Sequence, residues 1–216
     1  MLDDLYCFCN LPTIPEELSQ KLIDIANEGL EHNKNIQFAP NTHRLKEFEK
    51  VELQSKNALG GYGTVDGTRP VVRYRRTFVT PEIVEWFETN VTKDYAEIGI
   101  QTMDCGETFM PHTDGGVRSY ILNYLVQTGG DNVILRWYHE NDKPLLRNLE
   151  PRIQRWTEDN LRNIHEVIFK PGDWTLLNGK VIHSINGVTG LRISLSVAFT
   201  HHQFKLFKEK YQLSLH

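Results

Sequence analysis

The 216 residues include only three cysteines, Cys7, Cys9 and Cys105. Such a set gives no disulfide framework, and one Cys-x-Cys without a second pair lacks the ligands of a zinc site. Buried free thiols are expected, in a reducing cytoplasm. No apolar run approaches the roughly 20 residues that span a membrane. Met1-Leu2-Asp3-Asp4 has neither the basic start nor the apolar stretch of a signal peptide. Basic runs are also missing. Lys and Arg number 24 against 28 Asp and Glu, a formal charge of −4, which gives no basis for strong non-specific binding to nucleic acid. Internal repeats, low-complexity tracts and interdomain linkers are absent as well, so one domain over 1–216 is expected.

The N-terminal part reads as support. Pro12-Thr13-Ile14-Pro15-Glu16-Glu17 starts a helix, and Leu18, Leu22, Ile25, Ala26 and Leu30 form an apolar stripe at helical spacing. Residues 31–70 are polar and turn-rich. Gly60-Gly61-Tyr62-Gly63 and Asp66-Gly67 read as a flexible loop over 60–67, whose functional use would be as a lid. Val71 to Val79 then reads as a strand carrying Arg73, Arg75 and Arg76, a solvated or ion-paired face or else a site for an acidic substrate. Pro81 to Thr89 reads as a short helix with Ile83, Val84, Trp86 and Phe87.

The chemistry concentrates at His112-Thr113-Asp114. In an extended strand residues i and i+2 point to the same side, so His112 and Asp114 can reach one ion while Thr113 faces away. His183, seventy-one positions later, supplies a third donor if folding closes the gap. Two imidazoles and a carboxylate can occupy one triangular face of an octahedral metal and leave the opposite face open, the facial triad of non-haem Fe(II) sites.

The setting of His183 fits strands. Val167-Ile168-Phe169-Lys170 reads as one strand, Pro171-Gly172-Asp173 as a turn, Trp174 to Leu177 as a second strand and Asn178-Gly179 as a turn before the histidine. Leu191 to Phe199 alternates, with Arg192, Ser194 and Ser196 on one face and Leu191, Ile193, Leu195 and Val197 on the other. A charged Arg facing a barrel interior is costly without an anion and calls for a carboxylate or phosphate ligand.

Together these residues resemble the Fe(II)/2-oxoglutarate-dependent dioxygenase superfamily, nearest to its prolyl-hydroxylase-like branch. The pattern of that family is His-x-Asp, a distal His, and an Arg-x-Ser some ten residues on. His112, Asp114 and His183 match the metal ligands, and Arg192 with Ser194 matches the clamp on the far carboxylate of 2-oxoglutarate. Arg118 to Leu125, followed by Gly129-Gly130, resembles the strand and hairpin after the first ligands. The resemblance assigns Tyr124, with Tyr120 pointing the same way, as contacts to 2-oxoglutarate. It departs from the branch at Ile98 to Met103, which lacks the usual Tyr; Met103 lies nearest.

The implied fold is mainly β with supporting α-helices, a double-stranded β-helix (jelly-roll or cupin-like barrel) over 95–200, with 1–94 as helical and loop support. The implied cofactors are Fe(II), 2-oxoglutarate as co-substrate, O2, and ascorbate as reductant. The implied reaction is hydroxylation of a C–H bond with release of succinate and CO2. An amino-acid side chain, free or in a polypeptide, is the expected substrate, with a small molecule as the other possibility; neither a nucleic acid nor a membrane partner is expected. The alternative is a metal-dependent cupin-type isomerase or small-molecule-binding barrel, which gives no reason for Arg192 and Ser194. His139 and His165 flank a charged insertion over 139–165 and have no carboxylate at useful spacing, so they are not expected to be ligands. His201-His202 is expected at the surface beyond the last strand.

Overall fold

The computed structural model describes residues 5–34, 58–64, 70–77, 79–106, 109–114, 118–140, 154–155 and 161–215. Their strands form two sheets, paired antiparallel throughout. The larger runs in the order β1 (Tyr6–Phe8), β10 (Trp174–Asn178), β6 (Tyr120–Thr128), β12 (Arg192–Phe199), β4 (Glu97–Met103), β3 (Pro70–Thr77) and β2 (Ala58–Thr64). The smaller runs β8 (Gln154–Arg155), β5 (Phe109–Thr113), β11 (Ile182–Asn186), β7 (Ile134–Glu140) and β9 (Leu161–Val167). Apart from the consecutive β2, β3 and β4, neighbours in both sheets are far apart in sequence, as in a jelly roll.

The larger sheet is covered on both faces. Helices α1 (Glu16–Lys34), α2 (Pro81–Asn90) and α3 (His201–Tyr211) supply the outer layer. Leu22 and Ala26 of α1, Ile83 and Phe87 of α2, and Phe204 and Phe207 of α3 pack with Ile100, Leu122, Ile193, Leu195, Val197 and Phe199 in one core. Each fully buried Leu, Ile or Phe there is worth roughly 1.5–3 kcal/mol. A second core lies between the sheets, where Leu5, just before β1, and Leu125 and Leu177 of the larger sheet meet Leu135 and Trp137 of the smaller. All eight residues of β12 are buried. Its odd-numbered residues Ile193 to Phe199 belong to the helix-side core, so Arg192, Ser194 and Ser196 face between the sheets.

Local signals account for the helices. Pro81 occupies the first turn of α2, where its missing N–H costs nothing. Thr200 and Gln203 close a capping box at the start of α3, satisfying two backbone N–H groups that the helix cannot. His201 and His202 are exposed in its first turn.

Two expectations about local structure are corrected. Gly60 to Gly63 is not a loop: it lies within β2, paired with β3, with a register shift between Gly60 and Tyr62. Glycine accommodates such a bulge because it tolerates backbone angles that other residues resist. The strand placed over 167–170 comes earlier, at Leu161–Val167, pairing with β7 from Glu140 to Leu135. Most of the insertion, 141–153 and 156–160, lies outside the described residues, as do Leu30, Arg73, Arg75 and Arg76 in their side chains.

Candidate metal centre

β5 and β11 are neighbours in the smaller sheet, and their register sets His112 opposite His183. Residues opposed across an antiparallel pair project to the same side. The two imidazoles therefore meet, with ring centroids 4.4 Å apart, and both are buried. Asp114 lies two residues beyond His112, just past the end of β5. Its backbone N–H donates to the Gly179 carbonyl at 2.7 Å, and its Oδ2 stands 3.6 Å from His183 Nε2. One donor atom from each of the three residues lies within 4.8 Å of the others.

The surroundings prepare these donors for a metal. His183 Nδ1 lies 2.8 Å from the Val181 carbonyl. A carbonyl only accepts, so the proton sits on Nδ1 and Nε2 turns its lone pair toward Asp114. The 3.6 Å between Nε2 and Oδ2 is within the roughly 4.2 Å that an ion bonded at about 2.1 Å to each can bridge. Two nitrogens and one carboxylate suit Fe(II). Space for Asp114 comes from a glycine. A Cβ on Gly179 would stand 2.6 Å from the Arg118 carbonyl oxygen and 3.0 Å from Asp114 Cβ.

Arg192 lies at the start of β12 and is 7% exposed. With Leu125, Thr128, Val133, Leu135, Phe169 and Ile185 it lines a cleft between the sheets. Ile185 shares a strand face with His183, two residues away, so the cleft adjoins the triad. Burial pushes the Arg192 guanidinium down to about 10. No carboxylate among the described residues forms an ion pair with it. Ser194, one step further along the same face, is fully buried, and its Oγ has no hydrogen-bond partner.

Tyr120 and Tyr124 do not join this site. Tyr124 pairs with Leu195 and Tyr120 with Phe199, on the helix face of the sheet. Tyr124 packs against Trp174 with centroids 4.8 Å apart and hydrogen-bonds toward Ser19 and Ile14 near α1, while burial pushes its phenol up. Tyr120 stacks on Phe204 of α3 at 3.6 Å. Successive strand residues alternate sides, so Asn123 and Leu125, paired with Ser196 and Ser194, face the cleft instead. Met103 is opposite Arg192 on β4 and buried.

Several members of the site were not singled out from sequence. The sequence marks Gly179 only as half of an Asn-Gly turn. Arg118, read only as the start of a strand, reaches Asp114 and Ser196. The Val181 carbonyl has no sequence signal, because any residue offers one. His139 and His165 stay apart from the triad on β7 and β9; His165 Nε2 lies 3.3 Å from the Tyr6 hydroxyl.

No protein-family model matches the sequence, and no curated protein matches it either. Solved structures do match. The non-haem α-ketoglutarate-dependent carbocyclase SnoK from nogalamycin biosynthesis aligns with 90% of this chain and 79% of its own, at 9% identity and a TM-score of 0.52. A prolyl hydroxylase from Trichoplax adhaerens, solved with a hypoxia-inducible-factor peptide fragment, aligns with 94% of this chain and 87% of its own at 10% identity, with a TM-score of 0.46. Likeness at such identity concerns the fold alone: the chain shares its jelly-roll architecture with the SnoK structure, and a His–Asp–His cluster lies inside it.

Proposed function

We propose that the protein is a non-haem Fe(II)- and 2-oxoglutarate-dependent dioxygenase. On this reading it hydroxylates a C–H bond of an amino-acid side chain, free or in a polypeptide, and releases succinate and CO2. The observation that carries the reading is Arg192, a buried guanidinium with no carboxylate partner among the described residues, in a cleft whose lining includes Ile185, two residues from His183 of the two-histidine, one-carboxylate cluster. A cupin-type isomerase has no use for such a cation. A dicarboxylic keto acid gives it one.

His112, Asp114 and His183 would hold the iron, which when bound supplies positions for the keto acid and for O2 and the oxidising chemistry. Arg192 binds the far carboxylate of 2-oxoglutarate, and the Ser194 hydroxyl adds a hydrogen bond to it. Both act where water is excluded and such interactions are strengthened. Leu125, Leu135 and Ile185 line the cleft and keep it dry. The Val181 carbonyl keeps His183 in the tautomer that leaves Nε2 free. We place the activity in one domain and in the cytoplasm, where free Cys7 and Cys9 and Fe(II) both persist, with ascorbate as reductant.

An anaerobic absorbance titration of the Fe(II)-loaded protein with 2-oxoglutarate tests this. A saturable visible charge-transfer band, weakened in Arg192→Ala, is expected. Bound iron without such a band would sink the keto-acid assignment and favour the cupin-type reading.

A further inference from the structure

Arg118 follows Asp114 by four residues, and its side chain, 15% exposed, lies between the sheets. Nη2 donates to Ser196 Oγ of β12 at 3.2 Å. Nη1 stands 3.9 Å from Glu97 Oε1 of β4, and Nε stands 3.8 Å from Asp114 Oδ1. Nε and Nη1 are buried and form no hydrogen bond. The two oxygens of Asp114 therefore face different neighbours: Oδ1 the guanidinium, and Oδ2 His183 Nε2.

We infer that Arg118 is a positioning residue for the metal-binding carboxylate: held on the larger sheet by Ser196 and Glu97, it engages Oδ1 of Asp114 so that Oδ2 alone is turned toward the metal. The inference rests on the metal reading above. A carboxylate can grip an ion through one oxygen or two. Gripping through two would occupy a position that the co-substrate needs. A planar guanidinium suits this task because its N–H groups point in fixed directions. It can reach Ser196, Glu97 and Asp114 at once and so tie the end of β5 to the opposite sheet.

The electrostatics sharpen the inference. A cation beside a divalent metal site repels the metal, so charge alone says that removing Arg118 tightens metal binding. Positioning says the opposite. Glu97, 3.9 Å from Nη1, offsets the charge of the guanidinium, which leaves orientation as the larger effect. The two accounts differ in sign.

Co(II) is the probe, titrated calorimetrically into metal-free protein under argon, with its visible bands recorded. Arg118→Gln is expected to raise the Co(II) Kd by about 10–100-fold, the usual cost of losing a group that orients a metal ligand. Its bands should weaken relative to wild type as Asp114 turns its second oxygen to the ion and coordination rises. Arg118→Lys keeps the charge but gathers its donors on a single nitrogen, and should recover part of the loss. Glu97→Gln should weaken binding less, in the same direction. A Kd for Arg118→Gln at or below that of wild type overturns the inference while leaving the metal site standing. If that variant does not fold, Glu97→Gln decides, and a wild-type Kd there overturns it. Failure of the wild-type protein to bind Co(II) removes the metal reading and the inference with it.

Discussion

Replacing Arg192 by methionine should make the protein more stable and unable to bind 2-oxoglutarate. The guanidinium is buried, and desolvation alone lowers it from its ordinary value to about 10. A depression of that size is worth about 3 kcal/mol. The sign follows from which state holds the proton more tightly. The unfolded chain does, so the charged group opposes folding at every pH below about 10, and the penalty is relieved only as pH rises from there toward the ordinary arginine value. Methionine keeps much of the stem and removes the charge. For a chain of this size each kcal/mol moves the melting temperature by about 2–4 °C, so the gain has a ceiling of roughly 6–12 °C. Wild type with Mn(II), an ion that does not start turnover, should itself gain about 2.7 kcal/mol when 2-oxoglutarate is present at a hundred times its Kd. Arg192→Met should show no such ligand shift. Thermal unfolding of both proteins with and without the keto acid gives all four values. An unliganded variant melting at or below wild type would refute the claim that Arg192 is a buried charge without an anionic partner among the described residues. A variant still stabilised by 2-oxoglutarate would refute its role as the clamp.

Three other changes test separate parts of the site. His112→Ala or Asp114→Ala should abolish Co(II) binding seen by calorimetry while the far-UV circular dichroism stays that of wild type. Gly179→Ala places a methyl group 2.6 Å from the Arg118 carbonyl oxygen and 3.0 Å from Asp114 Cβ; it should weaken metal binding by about tenfold or more by displacing the carboxylate, and an unchanged Kd would show that the turn yields freely. Tyr124→Phe should leave 2-oxoglutarate affinity unchanged and cost about 1–3 kcal/mol of stability through its lost hydrogen bonds toward Ser19 and Ile14; a large fall in affinity in the charge-transfer titration would return Tyr124 to the cleft.

The donors could be read in advance because their spacing is a property of strands. His112 and Asp114 share a side by the two-residue repeat, and the turn-rich approach to His183 marked a short strand beside it. Arg192 and Ser194 could be read for the same reason, on a segment that alternates cleanly. The strand Tyr120–Thr128 could not. Its run Tyr120-Ile121-Leu122 and then Tyr124-Leu125 is apolar on both sides because both sides are buried, one by helices and one by the facing sheet. Without alternation nothing distinguishes the faces, and an error of one residue moves every side chain to the wrong side. The resemblance therefore assigns Tyr124 to the site with no alternation to show that Leu125, paired with Ser194, holds the inner face. α3 was missed differently: Phe204 and Phe207 are only two apolar anchors in a charged stretch, and its start rests on a capping box between Thr200 and Gln203 just past a strong strand. The Arg118 contacts depend on tertiary approach, since Ser196 is seventy-eight positions away.

The same double burial explains where function could be built. A strand packed on both faces by apolar groups is maximally stable and chemically inert. β12 departs from this on one face only. Toward the helices it presents Ile193, Leu195, Val197 and Phe199; toward the smaller sheet it presents Arg192, Ser194 and Ser196, all buried. Ser194 Oγ, Asn123 Oδ1 and two nitrogens of Arg118 are left without hydrogen bonds on that side, each a loss of about 1–3 kcal/mol relative to a satisfied group. An unliganded barrel gains nothing from such atoms, and apolar residues of similar size would serve its stability better. Their concentration on the face opposite His112 and His183 is what a pocket for polar ligands requires, and ligands that satisfy them should return the lost stability. The helix layer sustains that arrangement by holding β12 in register from behind, so that its inner face can be given over to binding.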